Sequence, residues 1–343
     1  MTALVSFLSN LFKQKAQLML GFLFLINGCE ELRYSNDING YTMGTSYSIK
    51  IIHNKILDLN DFSNRIDLIL RDINKQMSTW DEESEISKLN RNKSDSLIKV
   101  SADLYNVIKK SLEISKKTQG AFDVTIFDLM SLWGFGPKAS NDYPSDSVIL
   151  NALKSSGWEK LNLEDEGLSK KNPNLKLDLN AIAKGYAVDK VHQKILEMGF
   201  KDVFIEIGGE VKCSGKNKFG NKWRVGIEDP NRSSKNIIKI INLENRAMAT
   251  SGNYRNFIDL NGSILGHTID PRIGKPIKSE VLSVTVISSS CMRADAWATA
   301  LMVMSFKKGK EMIELEDDLD VFWILDTGNN NYGFEKTNGI ELD

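Results

Sequence analysis

The stretch 282–304 changes from a strand-like pattern to a helix-like pattern along its length. Its first half contains alternating β-branched apolar residues, Val284, Val286 and Ile287 among them, and then passes through three serines. Its second half is rich in Ala and Met, with apolar positions at helical spacing. We therefore predict a strand, a polar turn and a helix.

Asp295 and Thr299 are four residues apart in the predicted helix, so they lie on one face of it. A carboxylate and a hydroxyl side by side are hard oxygen ligands, which suit Mg²⁺. Two ordinary interpretations compete with a metal site. A Thr within a helix often bonds the carbonyl four residues back, and an Asp near a helix start often caps it. The spacing alone leaves all three open.

The same pattern analysis divides the rest of the chain into elements. Helices are predicted over 61–76, 84–90, 102–118 and 306–315, and over 177–199, where a strand end leads into the helix. Strands are predicted over 41–53, 203–212 with a break at Gly208-Gly209, 223–228, 237–243 and 320–325; hairpins are predicted at Asn261-Gly262 and 329–331, and a small helix with an irregular hairpin within 137–176. Strands come in clusters with helices between them, which predicts an α+β fold, one domain of mixed sheets with flanking helices.

The composition is that of a globular protein large enough to bury a substantial core. The chain has 343 residues, 41% of them hydrophobic and 26% charged, and a formal net charge of −1. Because no basic stripe accompanies this near-neutral charge, nucleic acid is an improbable partner. Six prolines and the absence of a Ser- or Gly-rich linker argue against a flexible string of domains.

The first 28 residues have the layout of a secretory signal. Lys13 and Lys15 precede an apolar run over 18–26, and Asn27-Gly28-Cys29 follows. The segment 25–29 resembles a bacterial lipobox, which predicts lipid on Cys29 as the mature N-terminus. An uncleaved signal anchor is the alternative, but the run is short for a membrane span.

This N-terminus predicts three parts: a lipoprotein signal peptide over 1–28, a polar tether over 29–40 and the functional domain over 41–343. The mature protein is then expected on the periplasmic, extracytoplasmic side of a bacterial cell membrane, held there by its lipid. In that oxidising compartment Cys213 and Cys291 have the opportunity to pair, and the sequence leaves their state open.

Segments spread over the mature chain together resemble the ApbE family, the FAD:protein FMN transferases. They are MGTSYS (43–48), MSTWDEESEISKLN (77–90), GAFDVT (120–125), LDLNAIAKGYAVD (177–189), EIGGEVKCSG (206–215), ATSGNYRNF (249–257), HTIDPRIGKPI (267–277) and RADAWATAL (293–301). They occur in the family's order and span almost the whole mature chain. This chain departs from the family at Glu210, where Asp is frequent, and at Trp80, where Tyr is frequent.

The resemblance implies roles for particular residues. Asp295 and Thr299 would hold Mg²⁺ together with the backbone carbonyl of Ala181. The residues implied around FAD are Met43, Trp80, Ala121, Phe122, Asp123, Asp178, Lys184 and Ile269. Individually, several have ordinary alternatives: Asp178 as a helix cap, Lys184 as a solvated lysine, and Phe122 and Trp80 as core aromatics.

The resemblance also implies a reaction, the Mg²⁺-dependent transfer of FMN from FAD to a threonine or serine hydroxyl of a flavoprotein, with release of AMP. The acceptor in the family is a Thr within a short Asp/Gly/Ser/Ala/Thr motif. Two other functions stay open: an FAD pyrophosphatase that gives FMN and AMP, and a lipoprotein that binds flavin without catalysis. Transfer is favoured because the bulky Trp80 is expected to shield the pyrophosphate from water.

A hydroxyl acceptor needs a general base, and the chain has three histidines. His53 falls at a strand end and His192 on a helix flank, which are ordinary placements. His267 lies near Asp270 in a loop bounded by Gly and Pro, and a histidine with the usual pKa near 6.5 suits base catalysis. We predict that His267 takes the proton; a structural, hydrogen-bonded His267 is the alternative.

Overall fold

The computed structural model describes residues 33–343 except 55–56, 141, 166, 231–235, 253–256, 261–262 and 329–330. The predicted signal peptide and Cys29 lie outside the described residues. Within the described part, no helix is both long enough and apolar enough to cross a membrane.

Eight α-helices lie in the described ranges, several of them capped by the serine or aspartate that precedes them. They are α1 Leu59–Met77, α2 Glu85–Arg91, α3 Ala102–Lys117, α4 Phe127–Leu132, α5 Asp146–Ser155, α6 Ala183–Glu197, α7 Cys291–Val303 and α8 Phe306–Ile313. In α1 the apolar positions Phe62, Ile66 and Ile73 are all buried, as their helical spacing predicts. The side chains of Ser84 and Ser101 accept hydrogen bonds from the first turns of α2 and α3.

Seventeen strands in the described ranges complete the fold. They are β1 Tyr34–Thr42, β2 Thr45–His53, β3 Ile98–Lys99, β4 Leu161–Glu164, β5 Gly167–Lys170, β6 Asp202–Ile207, β7 Glu210–Ser214, β8 Trp223–Glu228, β9 Ile237–Leu243, β10 Ala247–Gly252, β11 Phe257–Leu260, β12 Ser263–Gly266, β13 Ile269–Asp270, β14 Lys275–Pro276, β15 Val281–Ser288, β16 Asp320–Gly328 and β17 Asn331–Lys336. The largest described sheet is ordered β1-β2-β6-β7-β10-β15-β16-β17. The presence of this sheet together with the eight described helices confirms the predicted α+β class.

The main sheet buries both of its faces. Along β6, Val203, Ile205 and Ile207 point into the larger core, where α1, α6 and α7 pack. Phe204 points to the opposite face, where a second apolar cluster lies under the β8–β9 hairpin. This two-sided burial explains why the strands of the sheet are rich in β-branched residues.

The hairpin β1–β2 corrects the predicted start of the domain. Sequence analysis placed one strand over 41–53 and a polar tether before it. Residues 34–40 are instead part of β1, which pairs with β2 from Tyr34↔His53 to Thr42↔Thr45. Met43 and Gly44 form the turn, both at positive φ. The prediction failed because β1 is a polar edge strand and hydrophobic pattern alone does not distinguish such a strand from a tether.

Two other predicted elements differ in the structure. Gly208 and Gly209 do not interrupt one strand but form the turn between β6 and β7, which pair as a hairpin. Both glycines have positive φ, as the two central residues of a type I′ hairpin turn do. The segment 177–182 before α6 is irregular and not a strand end. The turns predicted at Asn261-Gly262 and within 329–331 fall at least partly outside the described residues, while the flanking strands pair as predicted.

Cys213 and Cys291 are both free thiols, and both are buried. Burial raises the pKa of each thiol, so each stays protonated at neutral pH. The question that the sequence left open is therefore answered by the fold: the two cysteines contribute to apolar packing rather than to a disulfide.

His192 on α6 predicts a pH-dependent stability. It is 7% exposed and its Nε2 lies 3.0 Å from Ser214 Oγ. Burial and the nearby Lys212 lower its pKa to about 4, and Asp189 opposes this shift only partly. Below the ordinary histidine pKa the unfolded chain binds a proton that the folded chain does not, so stability falls as the pH drops from about 6.5 towards 4.

Because Gln does not titrate, His192→Gln should make the unfolding free energy less sensitive to pH between 7.5 and 5, by about 2 kcal/mol. Denaturant unfolding at both pH values checks this, and equal pH sensitivity in the two proteins contradicts it.

Candidate active site

A pocket of about 200 Å³ lies where the β6–β7 turn and the end of β10 meet α6 and α7. It brings together ten of the residues singled out from the sequence, namely Ala121, Phe122, Asp123, Asp178, Ala181, Lys184, His267, Ile269, Asp295 and Thr299. Glu210, Thr250 and Ser251 also line it. Residues from six separate stretches of the chain thus converge on one cavity, which is the usual form of a small-molecule site.

A close helix contact sets the position of the polar residues. A Cβ built on Gly185 would lie 2.5 Å from the carbonyl oxygen of Cys291, so only glycine allows α6 to approach α7 this closely. The amide of Gly185 donates to Asp295 Oδ2 at 3.0 Å. This contact places Lys184, at the start of α6, beside the carboxylate of Asp295 on α7.

Lys184 forms a charged cluster with Glu210 and Asp295. Its Nζ lies 2.9 Å from Glu210 Oε1, and 26% of its side chain is exposed. Burial alone would lower the pKa of Lys184, but the carboxylates of Asp295 and Glu210 outweigh it and raise the pKa above its ordinary value. Burial raises the pKa of both carboxyl groups, while Lys184 opposes that rise. The lysine therefore stays a cation, and it can present its charge to an anion in the pocket.

Asp295 and Thr299 share one face of α7, as predicted, and both line the pocket. Ser290 caps α7 by accepting from Arg293 N, so the interpretation of Asp295 as a helix cap is wrong. Asp295 is 3% exposed. Thr299 Oγ1 lies 3.4 Å from Ser251 Oγ. Both side chains can therefore bind a ligand or an ion that enters the pocket.

The oxygen donors around Asp295 fit Mg²⁺. Asp295, Thr299 and Ala181 line one cavity, and the buried Glu210 Oε2 has no hydrogen-bond partner among the described residues. Carboxylate, hydroxyl and carbonyl oxygens are the ligands that this hard cation takes, with water and phosphate completing its shell. No group of three or more His, Cys, Asp or Glu side chains in the described ranges is placed to hold a metal ion. Of the predicted Mg²⁺ ligands, only Asp295 belongs to these four residue types. The other two ligands are the hydroxyl of Thr299 and the backbone carbonyl of Ala181.

Two aspartates of the pocket accept hydrogen bonds from other residues of the chain. Asp123 accepts from the amide and hydroxyl of Thr125 and from the amide of Trp158. Asp178 accepts from the amide and side chain of Asn180. Burial raises the pKa of both carboxyl groups, and these hydrogen bonds oppose the rise. Both residues thus shape the two loops that form the pocket wall.

Comparison with known proteins decides the family. The family model described as "ApbE family" matches residues 43–323 of the chain. The chain belongs to the ApbE family. It is 40% identical over 310 residues to a Vibrio cholerae protein named FAD:protein FMN transferase, with 90% of this chain and 92% of that protein aligned.

Solved structures give the same result for the fold. The flavin transferase ApbE from Vibrio cholerae superposes with a TM-score of 0.82 at 36% identity, covering 90% of this chain and 98% of that one. The apo form of the flavinyl transferase ApbE of Pseudomonas stutzeri gives a TM-score of 0.81 at 31% identity, covering 89% and 95%. The predicted ApbE-like domain is therefore confirmed as the fold of this chain.

Two residues that the ApbE resemblance assigned to FAD do not line the pocket. Met43 is partly buried in the turn between β1 and β2 and packs against the larger core. Trp80 is 66% exposed in the loop before α2. Phe122, by contrast, is buried in the pocket wall. Their part in FAD binding stays a prediction.

His267 lines the pocket, and its ring lies 6.4 Å from that of Phe135 in an edge contact. Asp270, the carboxylate near His267 in the sequence, accepts hydrogen bonds from the Arg272 guanidinium through both of its oxygens, at 2.8 Å each. The position of His267 in the wall of the ApbE pocket is compatible with proton transfer.

The role of Glu210 was not predicted from the sequence. It was noted only as a departure from the family pattern, and its contact with Lys184 joins residues 26 positions apart. The available signal was the Gly-Gly-Glu sequence: a hairpin turn followed directly by a carboxylate puts that carboxylate at a strand end. Ser251 was missed as well, since a serine at a strand end has no distinctive pattern.

Proposed function

We propose that this chain transfers FMN from FAD to a threonine or serine hydroxyl of a target flavoprotein and releases AMP. The observation that carries the proposal is the pocket in which Lys184, Asp295, Thr299 and His267 converge. A cation, hard oxygen donors and a candidate base are the groups that phosphoryl-type transfer requires. The similarity to proteins named FAD:protein FMN transferase, over nearly the whole domain, supports the same reaction.

The reaction balances with the groups in this pocket. The acceptor hydroxyl oxygen attacks the phosphorus of the FMN half of FAD and forms a new P–O bond. The bond from that phosphorus to the bridging oxygen breaks, and AMP leaves with that oxygen. The hydroxyl proton passes to a ring nitrogen of His267, which lines the pocket. Lys184, held by Glu210 at 2.9 Å, offers positive charge to the phosphate oxygens.

Mg²⁺ is part of the proposal, because the donor oxygens fit it. Asp295, Thr299 and the carbonyl of Ala181 would hold the ion. When bound, Mg²⁺ neutralises charge on the pyrophosphate oxygens and so favours the departure of AMP. Of the chain's own groups, Lys184 attracts the phosphates by its charge, while the hydrogen bond from Gly185 N fixes the carboxylate of Asp295 that would hold the ion.

One experiment separates this function from its two alternatives. The protein is incubated with FAD and Mg²⁺, with and without an acceptor protein that carries the Asp/Gly/Ser/Ala/Thr motif. Transfer predicts a covalent FMN on a threonine or serine of the acceptor, seen by mass spectrometry, together with AMP. Release of FMN and AMP without modification of the acceptor supports an FAD pyrophosphatase. Bound but unchanged FAD supports a non-catalytic flavin-binding protein.

We also propose that Cys29 is lipidated and holds the protein on the periplasmic face of a bacterial membrane. The support is the lysines, the apolar run and the lipobox-like segment 25–29. Cys29→Ser should therefore move the protein from the membrane fraction to the soluble fraction, because the thiol that carries the lipid is gone. Fractionation and the mass of the mature N-terminus check this. A Cys29→Ser protein that still sediments with membranes contradicts it.

A further inference from the structure

Basic and aromatic side chains lie together on the surface at the N-terminal end of the described chain. We call this surface the basic patch; its members are Arg33, Tyr34, Lys201, Lys216, Lys218 and Phe219, and all six are exposed. They come from three separate segments of the sequence, which is why no basic stripe is visible along the chain. Neither the family resemblance nor the reaction proposed above assigns a role to this patch.

Contacts around Asp202 bring the three segments together. Its Oδ2 lies 3.4 Å from Arg33 Nη2, and its Oδ1 accepts from the amide of Lys216 at 2.8 Å. The guanidinium of Arg33 also donates to the carbonyl of Asn217, at 3.3 Å. Lys201 directly precedes Asp202, which begins β6. The basic patch therefore lies at the end of the main sheet where β1 and β6 begin.

The basic patch carries an excess of positive charge. It contains one arginine and three lysines, and the acid in contact with it, Asp202, is paired with Arg33. None of these three lysines forms a salt bridge within the described part of the chain. Lys222, a few residues further along, is by contrast paired with Glu341 at 2.9 Å. Lysine and arginine clusters beside a membrane attract anionic lipid head groups, so the patch has the charge that suits such a surface.

The turn over 217–220 holds an aromatic ring out in the solvent. The side-chain oxygen of Asn217 accepts from the amide of Phe219 at 3.0 Å, and its carbonyl accepts from Gly220 N at 2.9 Å. The side chain of Phe219 is 74% exposed, and Lys218 Nζ lies 4.9 Å from the centre of its ring. A large apolar ring next to lysines suits insertion into the head-group region of a membrane, with the lysine ammonium groups among the phosphates.

The proposed lipid anchor is close to the basic patch along the chain. Residues 30–32 alone separate Cys29 from Arg33. Four residues of fully extended chain reach at most ~14 Å, so a lipid inserted through Cys29 keeps Arg33 and Tyr34 within about that distance of the membrane surface. The membrane is therefore the partner that the length of the chain brings to the patch.

We infer that the basic patch binds the surface of a membrane that contains anionic phospholipids, with Phe219 inserted among the head groups. The inference rests on the proposed lipidation of Cys29 and adds the orientation in which the anchored protein is held. The patch lies where β6 begins, at Asp202, and the active-site pocket lies beyond its other end, at Gly208. Six residues of strand span roughly 20 Å, so the membrane contact and the pocket are separate surfaces.

A fluorescent label tests the insertion of position 219. The lipidated protein with Phe219→Cys is labelled with an environment-sensitive maleimide dye and reconstituted into vesicles. Cys213 and Cys291 are buried and Cys29 carries the lipid, so only the new thiol reacts. We expect the emission to shift to shorter wavelength on vesicles of phosphatidylglycerol and phosphatidylcholine relative to phosphatidylcholine alone, because the anionic lipid draws the patch onto the surface.

Tyr41→Cys is the matched control for the label. Tyr41 is another exposed aromatic residue of the β1–β2 hairpin, at 90% exposure, and it lies at the end of β1 away from Tyr34. The same dye at this position should give one spectrum on both kinds of vesicle, since the hairpin turn is held away from the lipid.

Charge reversal tests the electrostatic part of the inference. Lys216→Glu with Lys218→Glu, in the labelled Phe219→Cys protein, should abolish the spectral difference between the two kinds of vesicle, because the patch no longer attracts anionic lipid. Arg71→Glu with Lys75→Glu is the control, since it changes the net charge equally on α1, whose last turn contacts the end of β1 away from the patch. This control should keep the spectral difference.

The outcomes separate the inference from the proposed anchor. Equal spectra from position 219 on the two kinds of vesicle overturn the inference, as does a difference that survives charge reversal of the patch or that is equally large at position 41. If lipid is found on Cys29 by mass spectrometry in such a case, the anchor stands and only the inference fails. A mature N-terminus without lipid removes the anchor and the inference together.

Discussion

Asp295→Asn is expected to lower the rate of FMN transfer by at least ~100-fold and to weaken the response of the rate to Mg²⁺. Asp295 is 3% exposed, accepts from Gly185 N at 3.0 Å and lines the pocket beside Thr299. Asparagine keeps the shape and an oxygen that can accept the same hydrogen bond, so the packing of α6 on α7 should survive. What is lost is the negative charge that the proposed Mg²⁺ site requires.

Two measurements check this prediction. The first is the rate of flavin attachment to the acceptor as a function of Mg²⁺ concentration. The second is the binding of Mg²⁺ to the protein by calorimetry, which does not depend on activity. Asp103→Asn is the control, because Asp103 pairs with Lys190 at 2.9 Å outside the pocket. An Asp295→Asn protein with wild-type Mg²⁺ binding contradicts the predicted metal site.

His267→Ala is expected to lower the transfer rate by about 10² to 10⁴-fold while FAD still binds. The reason is that the acceptor hydroxyl keeps its proton when no base is present. The wild-type rate should also fall at acidic pH, since a protonated histidine cannot accept a proton. The variant should lack this acidic limb. The pH profile separates a base from a residue that only shapes the pocket wall.

His53→Ala serves as the control for the loss of a histidine, because His53 lies at the end of β2 and not in the pocket. It should leave the transfer rate and the pH profile as they are in wild type. FAD binding is measured for both variants by fluorescence. A His267→Ala protein that binds FAD and transfers FMN at the full rate removes His267 as the base.

Glu210 links these predictions to the electrostatics of the pocket. Its Oε1 holds Lys184 at 2.9 Å, while its buried Oε2 lacks a hydrogen-bond partner in the described part of the chain. An unpartnered buried carboxylate oxygen costs free energy unless a ligand, an ion or water satisfies it. The pocket therefore has unused acceptor capacity next to the oxygens that suit Mg²⁺.

Local pattern was sufficient where the structure is locally determined. The local sequence patterns over 61–76, 84–90 and 102–118 predicted α1, α2 and α3 to within two residues at their ends. The spacing of Asp295 and Thr299 correctly placed both on one face of α7. By contrast, β1 was missed because its sequence is polar and it is held by pairing with β2 along its whole length. The sequence of one strand does not by itself show which other strand it pairs with.

The sequence by itself determined the family, the α+β class and ten of the residues that line the pocket, because helical periodicity and short motifs are properties of neighbouring positions. Only the tertiary structure decided that Lys184, Glu210 and Asp295 form one charged cluster, that Cys213 and Cys291 are free, and that Met43 and Trp80 lie outside the pocket lining. These features depend on the relative positions of segments that are distant in the sequence. The packing of the helices on the sheet sets those positions.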